Sequence, residues 1–474
     1  MNAMDQPNII ILLADDLGYG DLSCQGGKIP TPHMDKLAAE GARFTDAHAS
    51  SALCSPSRYS LLTGRYNWRS RLKTKVLGSF DYPLIDSGRE TIASFLKGHG
   101  YQTSCVGKWH LGLDWAAQSR SDSAGGGFAD PGNIDYSRPF RGGPLELGFD
   151  QFFGIAGSLN MPPFCFIEGN RTIGIPDIPV GERTEAFVEG LPKGTMVEDW
   201  DFRGVDLRHT QEAESRIRNR DREKPFFLYF APSAPHSPWL PPEMVEGQSG
   251  AGPRADLVCL LDWMVGRLVH ALKSEGIEDE TLLIITSDNG ALNPEIEVES
   301  KGHYSNGKLR GHKSHIFEGG HRVPFLARWP GVIPEETECD ELICLMDIFA
   351  TLGDIIEKPI PEKAAEDSVS FLPLLRNPKD SGPVRQLLVN HSGLGRFAIR
   401  EENWKLIDAL DHGGFGLDEW SQPDPGGPGG MLFDLERDLE ETDNEWQRQG
   451  ERVPRLLQLL QSIQNGEATE TAGG

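Results

Sequence analysis

No stretch of 18 apolar residues occurs in the 474-residue chain, which excludes an ordinary membrane-spanning helix. The run Ile9-Ile10-Ile11-Leu12-Leu13-Ala14 is short, has no basic region before it and ends in Asp15-Asp16. It reads as a buried strand, not a secretory signal. The chain is therefore expected to be cytoplasmic, or periplasmic or secreted after loss of a signal, with Met1-Asn2-Ala3-Met4 read as a cloning remnant. No CxxC pair occurs among the seven cysteines (24, 54, 105, 165, 259, 339 and 344), so a structural zinc site is not expected. Their spacing is not a disulfide framework either, and most read as buried thiols. Positive charge is scarce. Lys and Arg number 46 against 71 Asp and Glu, a formal net charge of −25. Such a surface repels nucleic acid and anionic membranes, so neither is an expected partner. There is no internal repeat.

Glycine and proline are abundant, 54 and 33 residues, half again the usual combined share of about 12%. That composition suits the long, shaped loops of a large enzyme. Besides Ile9–Ala14, the apolar runs Pro225–Ala231, Leu282–Thr286 and Val323–Trp329 read as strands. Thr31-Pro32 opens a helix that Gly41 closes, with Thr31 as the N-cap. Leu257, Leu261, Met264, Val265 and Leu268 recur at helical spacing. The alternation predicts an α/β fold with a large mixed, mostly parallel central sheet and helices on both faces. After about residue 365 the pattern changes to closely spaced short strands at 386–390, 397–400 and 404–408. An amphipathic helix over Pro454–Gln464 follows. This predicts a small C-terminal antiparallel sheet with a helix, and a division into 1–365 and 366–474. Long polar loops are expected at 114–145, 291–312 and 413–430, with a frayed tail after Gly466.

Two acidic pairs stand at strand ends: Asp15-Asp16 after the first strand and Asp288-Asn289 after Leu282–Thr286. Ligands gather at the carboxyl ends of strands in open α/β sheets, and four hard oxygens there suit Ca²⁺ or Mg²⁺ better than zinc. A single such pair is as readily a solvated surface or a helix cap. Cys54-Ser55-Pro56-Ser57-Arg58-Tyr59-Ser60-Leu61-Leu62-Thr63-Gly64 begins with Cys54 at the N-terminus of a short helix that Gly64 closes. There the free N–H groups favour an anion and an acidified thiol is expected, the plain alternative being a buried cysteine.

This segment resembles the active-site signature C-x-P-S-R-x-x-x-L-x-T-G of type I sulfatases, arylsulfatase A-like members of the alkaline phosphatase superfamily. The resemblance extends over about residues 7–465. Gly107-Lys108-Trp109-His110-Leu111-Gly112 resembles the family's G-K-W-H-L-G segment, Pro235-His236-Ser237-Pro238 its P-H-x-P turn, and Lys313 its second sulfate-binding lysine. Asp434–Glu441 resembles a D-L-x-x-D-x-x-E stretch, and the Gly-Gly-His-Arg form at 319–322 is similar to bacterial enzymes, implying a bacterial origin.

The resemblance implies Cys54, Arg58, Lys108, His110, His236 and Lys313 as catalytic residues. It implies Asp15, Asp16, Asp288, Asn289 and Cys54, oxidised to formylglycine by a maturation enzyme, as ligands of one divalent metal, Ca²⁺ ahead of Mg²⁺. By that analogy the hydrated aldehyde offers two hydroxyls on one carbon. One attacks sulfur with help from Asp288, and the other expels sulfate as His110 takes its proton. Arg58 would hold the diol, while protonated His236 donates to the leaving oxygen. His303 and His312 are expected to line the substrate pocket; His321 reads as structural. The implied reaction is hydrolysis of a small sulfate monoester, sulfated sugars or oligosaccharides ahead of aryl sulfates. The alternatives are a phosphate or phosphonate monoester hydrolase and a non-catalytic sulfoglycan-binding protein.

Overall fold

Seven consecutive buried residues, Asn8–Ala14 (β1), form the strand around which the molecule is built. The computed structural model describes residues 6–117, 120–121, 128–129, 131–180, 193–292, 302–378, 381–416, 421–422 and 424–466. The expected frayed tail lies outside these residues, as do parts of the three expected long loops. The remaining strands of the main sheet are Ala42–Phe44 (β2), Gln102–Lys108 (β3), Gln151–Ile155 (β4), Ile167–Glu168 (β5), Arg171–Thr172 (β6), Phe226–Ala231 (β7), Thr281–Ser287 (β8), Phe325–Arg328 (β9) and Thr337–Cys339 (β10). Their order is β10-β2-β9-β8-β1-β7-β3-β4-β5-β6. The centre, β8-β1-β7-β3-β4, is parallel, with Ile11 opposite both Tyr229 and Ile284. β9 runs antiparallel to β8 and to β2, so the sheet is mixed and mostly parallel, as expected.

Alternation along β1 explains why both faces carry helices. Ile9, Ile11 and Leu13 join one core with Leu61 and Leu62 of Cys54–Thr63, Phe95 and Leu96 of Ile92–Gly98, and Phe349 and Leu352 of Asp347–Ile355. Ile10, Leu12 and Ala14 join another with Met34 and Leu37 of Pro32–Ala39, Ile217 of Val205–Arg218, and Leu261, Val265 and Leu268 of Pro253–Glu275. The second core thus recruits the helical stripe read from the sequence. Thr31 precedes Pro32–Ala39 but does not cap it. Its hydroxyl is shared with Ser23 and donates to Asp35 instead.

A second sheet holds Leu387–His391 (β11), Phe397–Glu401 (β12), Trp404–Ile407 (β13) and Met431–Asp434 (β14), each antiparallel to the next. The helix Arg452–Asn465 lays Leu456, Leu460 and Ile463 against Val389, Ile399, Leu406 and Leu432. Among the described residues no helix is long and apolar enough to cross a membrane.

Candidate active site

Parallel strands deliver their C-terminal residues to one edge, and here β8, β1, β7 and β3 are successive neighbours. Asp15-Asp16 follows β1, Asp288-Asn289 follows β8, His236 follows β7 and Lys108 ends β3. Across that edge lies the helix Cys54–Thr63, all ten residues buried, with Cys54 at its first position and Gly64 closing it at φ 62°.

The side chains converge. Cys54 Sγ is 3.6 Å from Asp15 Oδ1. Asp15 Oδ2 accepts from Lys108 Nζ at 2.6 Å, and Asp16 Oδ1 pairs with Lys313 Nζ at 2.7 Å. Arg58 donates twice to Asp288 Oδ2, at 2.9 and 2.7 Å, and to the Lys108 carbonyl at 3.1 Å. His236 Nε2 stands 3.8 Å from Asp16 Oδ2. Asn289 donates through Nδ2 to Asp16 Oδ1 at 2.8 Å, while its own Oδ1 is buried with no hydrogen-bond partner. Asp16 holds this arrangement with a left-handed backbone, φ 66°, which an aspartate tolerates better than most residues.

Burial and charge decide the protonation states. Burial and the neighbouring Asp15 and Asp16 push Asp288 up to about 6 despite Arg58. Burial opposes ionisation of Asp15 too, but Lys108, His236, Arg58 and Lys313 outweigh it and hold Asp15 well below the usual carboxylate range. Cys54 corrects the sequence expectation. Burial pushes its thiol up to about 12, against the pull of Lys108 and Lys313, so the helix N-terminus does not acidify it. A thiolate nucleophile is therefore disfavoured. His110 is buried, and its Nε2–H donates to the Leu77 carbonyl at 2.8 Å. A carbonyl only accepts, so the tautomer follows and Nδ1, buried without a partner, keeps its lone pair. Burial, Lys108 and Arg58 hold His110 well below the ordinary histidine range. His236 is likewise lowered by burial, against Asp15 and Asp16, and donates from Nδ1 to its neighbour's carbonyl at 2.6 Å.

Three aspartates and an unpartnered amide oxygen, all buried, fit a hard divalent cation. Asp15, Asp16, Cys54 and His236 also present ligand atoms within 4.8 Å of one another. The expected pocket residues behave differently. His303 is 2% exposed and donates to Asp21 Oδ1 at 2.9 Å, so it is committed one layer behind the cluster and does not line it. His312 donates from Nδ1 to the Lys313 carbonyl at 3.0 Å, and its ring packs at a tilt of 36° against His315, which packs at 38° against His412.

Sequence reasoning missed Arg254. It is buried, donates to the Asp16 carbonyl at 2.9 Å and to both oxygens of Asp21, and so fixes the turn that carries the first acidic pair. No local motif marks it; the helix it opens carries other charged residues, Asp256, Asp262, Arg267 and Lys273 among them.

A family model described as Sulfatase matches residues 7–357. An N-acetylgalactosamine-6-O-sulfatase of Bacteroides thetaiotaomicron is 33% identical, over 97% of this chain and 93% of its own. Arylsulfatase A of Homo sapiens is 32% identical, over 97% of this chain and 87% of its own. A structure solved in work on the metabolism of multiple glycosaminoglycans by Bacteroides thetaiotaomicron matches with a TM-score of 0.84 at 32% identity, covering 97% of this chain and all of that one. With the fold and the order of the converging residues, these similarities make the conclusion plain: the chain belongs to the sulfatase family and is a sulfuric ester hydrolase.

Proposed function

We propose that this enzyme removes sulfate from sulfated sugars or short oligosaccharides, using Cys54 matured to formylglycine and one divalent metal, Ca²⁺ ahead of Mg²⁺. The observation that carries this reading is the convergence of Asp15, Asp16, Asp288, Asn289, Lys108 and Lys313 on Cys54. The family generally uses a metal and a formylglycine. The residues present fit both, since Cys54 lies at a buried helix start beside hard oxygen donors. When bound, the metal supplies Lewis-acid polarisation and the hydrated aldehyde supplies two hydroxyls on one carbon.

The chain's own groups do the rest. Lys108 and Lys313 bring two ammonium groups to oxygens on which negative charge develops. Arg58 anchors Asp288, whose raised affinity for protons suits it to accept one from the attacking hydroxyl. His110, neutral and with a free Nδ1 lone pair, accepts the proton released as sulfate departs. His236 presents Nε2 to the leaving-group oxygen and donates once an anion in the site raises its pKa. The sugar preference rests on the names of the Bacteroides relatives, which also accord with a bacterial origin. A formylglycine-generating maturation enzyme is the implied partner. The division into a catalytic domain, 1–365, and a smaller subdomain, 366–474, is part of the same reading.

The test is the mass of the tryptic peptide Phe44–Arg58 after co-expression with a formylglycine-generating enzyme, followed by rates on paired sulfate and phosphate esters. Conversion of Cys54 to the aldehyde and a preference for sulfate are expected. An unmodified thiol in a protein that binds sulfated glycans without cleaving them would overturn the mechanism. A preference for phosphate would overturn the substrate class.

A further inference from the structure

A buried network of charged and imidazole side chains lies between the main sheet and the C-terminal sheet, apart from the converging residues described above. Lys405 of β13 is fully buried. Its Nζ lies 2.9 Å from Glu318 Oε1, 2.9 Å from Glu441 Oε1 and 3.2 Å from His321 Nε2. His321 Nδ1 is 2.9 Å from His48 Nδ1, and His48 Nε2 is 2.8 Å from Asp46 Oδ1. Arg400 of β12 closes the line with two bonds to Asp46, at 2.8 and 2.6 Å.

The direction of this line follows from what each group can do. Arg322 and Arg400 hold Asp46 ionised against its burial, so it accepts from His48 Nε2–H. Burial keeps both imidazoles neutral. His48 Nδ1 is then an acceptor and His321 Nδ1 its donor. That leaves His321 Nε2 to accept from the Lys405 ammonium, rather than donate to the Ile316 carbonyl 3.1 Å away. The hydrogen bonds therefore run one way, Lys405 to His321 to His48 to Asp46. Glu318, His48 and His321 also have the residue types of a metal site. The two ring nitrogens facing each other are spent on one another, and Lys405, Arg322 and Arg400 crowd the carboxylates, so a further cation has no place there.

The line runs under the backbone that carries the site. In the turn Glu318–His321, the Gly320 carbonyl accepts from Gly290 N at 2.9 Å, next to Asn289. The fit is tight, since a Cβ on Gly290 would meet the Gly319 oxygen at 1.9 Å. The His321 carbonyl accepts from Ala49 N at 2.8 Å, on the segment leading to Cys54. Lys313 N donates to the Ala291 carbonyl at 2.9 Å, and Ser314 N to that of Ala52 at 2.7 Å. The turn thus touches the stretches bearing Asn289 and Cys54, which also hold the Lys313 segment.

We propose that Lys405, although it touches neither substrate nor metal ligand, is a positioning residue for sulfate ester hydrolysis: through His321 and His48 it fixes the turn from which the Asn289 and Cys54 segments hang. The proposal rests on the reading of the site given above.

The discriminating experiment compares Lys405→Met with the double variant Lys405→Met/Glu318→Gln, both matured and purified as full chains. The single variant strands Glu318 as a buried charge with one partner fewer, so loss of stability is expected and failure to fold is tolerable. The double variant removes that charge and is expected to fold with a Tm near wild type. The expected result is a kcat about 10- to 100-fold below wild type, with Ca²⁺ binding measured by calorimetry weakened similarly, the usual effect of losing a supporting hydrogen bond behind metal ligands. Peptide mass confirms equal formylglycine content. A folded double variant with wild-type kcat and Ca²⁺ affinity would overturn the proposal and leave Lys405 a structural residue. A wild-type protein inactive on every sulfate ester would instead overturn the reading of the site.

Discussion

At the scale of single residues, burial and backbone contact set apart the two histidines proposed to move protons. His110 and His236 each give one ring N–H to a carbonyl, and each is left with one nitrogen for chemistry. They differ in what surrounds that nitrogen. His110 is held neutral by burial first and by Lys108 and Arg58 beside it. His236 is lowered by burial, Lys313 and Lys108 as well, but it also faces Asp15 and Asp16, which favour its charged form. On the proposed reading, the first therefore meets the reaction unprotonated, with its lone pair open, and the second is the one a bound anion protonates more readily. This predicts a leaving-group signature. His236→Ala is expected to lower kcat on an alkyl sugar sulfate by about 10²–10⁴-fold, the range typical of general acid catalysis. On nitrophenyl sulfate, whose phenolate leaves without a proton, the loss should be less than about tenfold. Equal losses on the two substrates would mean that His236 binds sulfate instead of protonating the alcohol. The elevated Cys54 thiol points the same way as the family resemblance, because an unmodified cysteine here is a poor nucleophile.

At the scale of elements, the C-terminal sheet is part of the wall behind Cys54. Ala52 N donates to the His391 carbonyl at 3.0 Å, and His391 N to that of Ser50 at 3.2 Å, two to four residues before Cys54. Glu441, from the stretch after β14, accepts from Glu318 N at 2.7 Å. Burial, and Glu318 beside it, push Glu441 up to about 7, against Lys405. A carboxyl with a raised folded-state pKa contributes stability below its unfolded value, and that stability is lost as pH rises through about 7. The amount is of order 3 kcal/mol, from about 1.4 per pKa unit. Glu441→Gln mimics the protonated form and keeps an acceptor for Glu318 N. Its Tm should match wild type near pH 5 and exceed it at pH 8; a difference that stays constant with pH would refute this. Much of this architecture was legible in the sequence. Ile9–Ala14 and the stripe from Leu257 to Leu268 signalled themselves because burial on one or all sides demands unbroken or periodic apolar residues. The central strand Gln102–Lys108 did not, because Thr103, Ser104 and Gly107 satisfy a buried position by size and hydrogen bonding without apolar character. The converging residues were readable as motifs. Arg254, Lys405 and the Asp46–His48 pair were not, since their partners lie tens to hundreds of positions away and only the fold brings them together.

At the scale of the whole molecule, the exterior and the site carry opposite demands. The net charge of −25 repels any sulfated chain approaching from solution, while Lys108 and Lys313, the proposed sulfate-binding lysines, are buried and already paired with Asp15 and Asp16. Their field is therefore largely cancelled at a distance, and the long-range potential belongs to the surface acids. Mobile ions screen that potential beyond a Debye length of about 30 Å at 0.01 M and about 8 Å at 0.15 M. Raising the ionic strength across this range should then increase kcat/KM for a sulfated oligosaccharide. The increase should grow with the number of sulfates, because each added charge feels the same repulsion on approach. A neutral sugar with a single sulfate should respond least. The measurement is kcat/KM for mono-, di- and tetrasulfated oligosaccharides at several NaCl concentrations with Ca²⁺ held constant, so that screening is not confused with metal loss. A kcat/KM that falls with salt, and falls more steeply for the higher sulfates, would mean that a local cationic surface at the site mouth outweighs the global charge. The preference would then be for polymers, not for short ends entering a pocket.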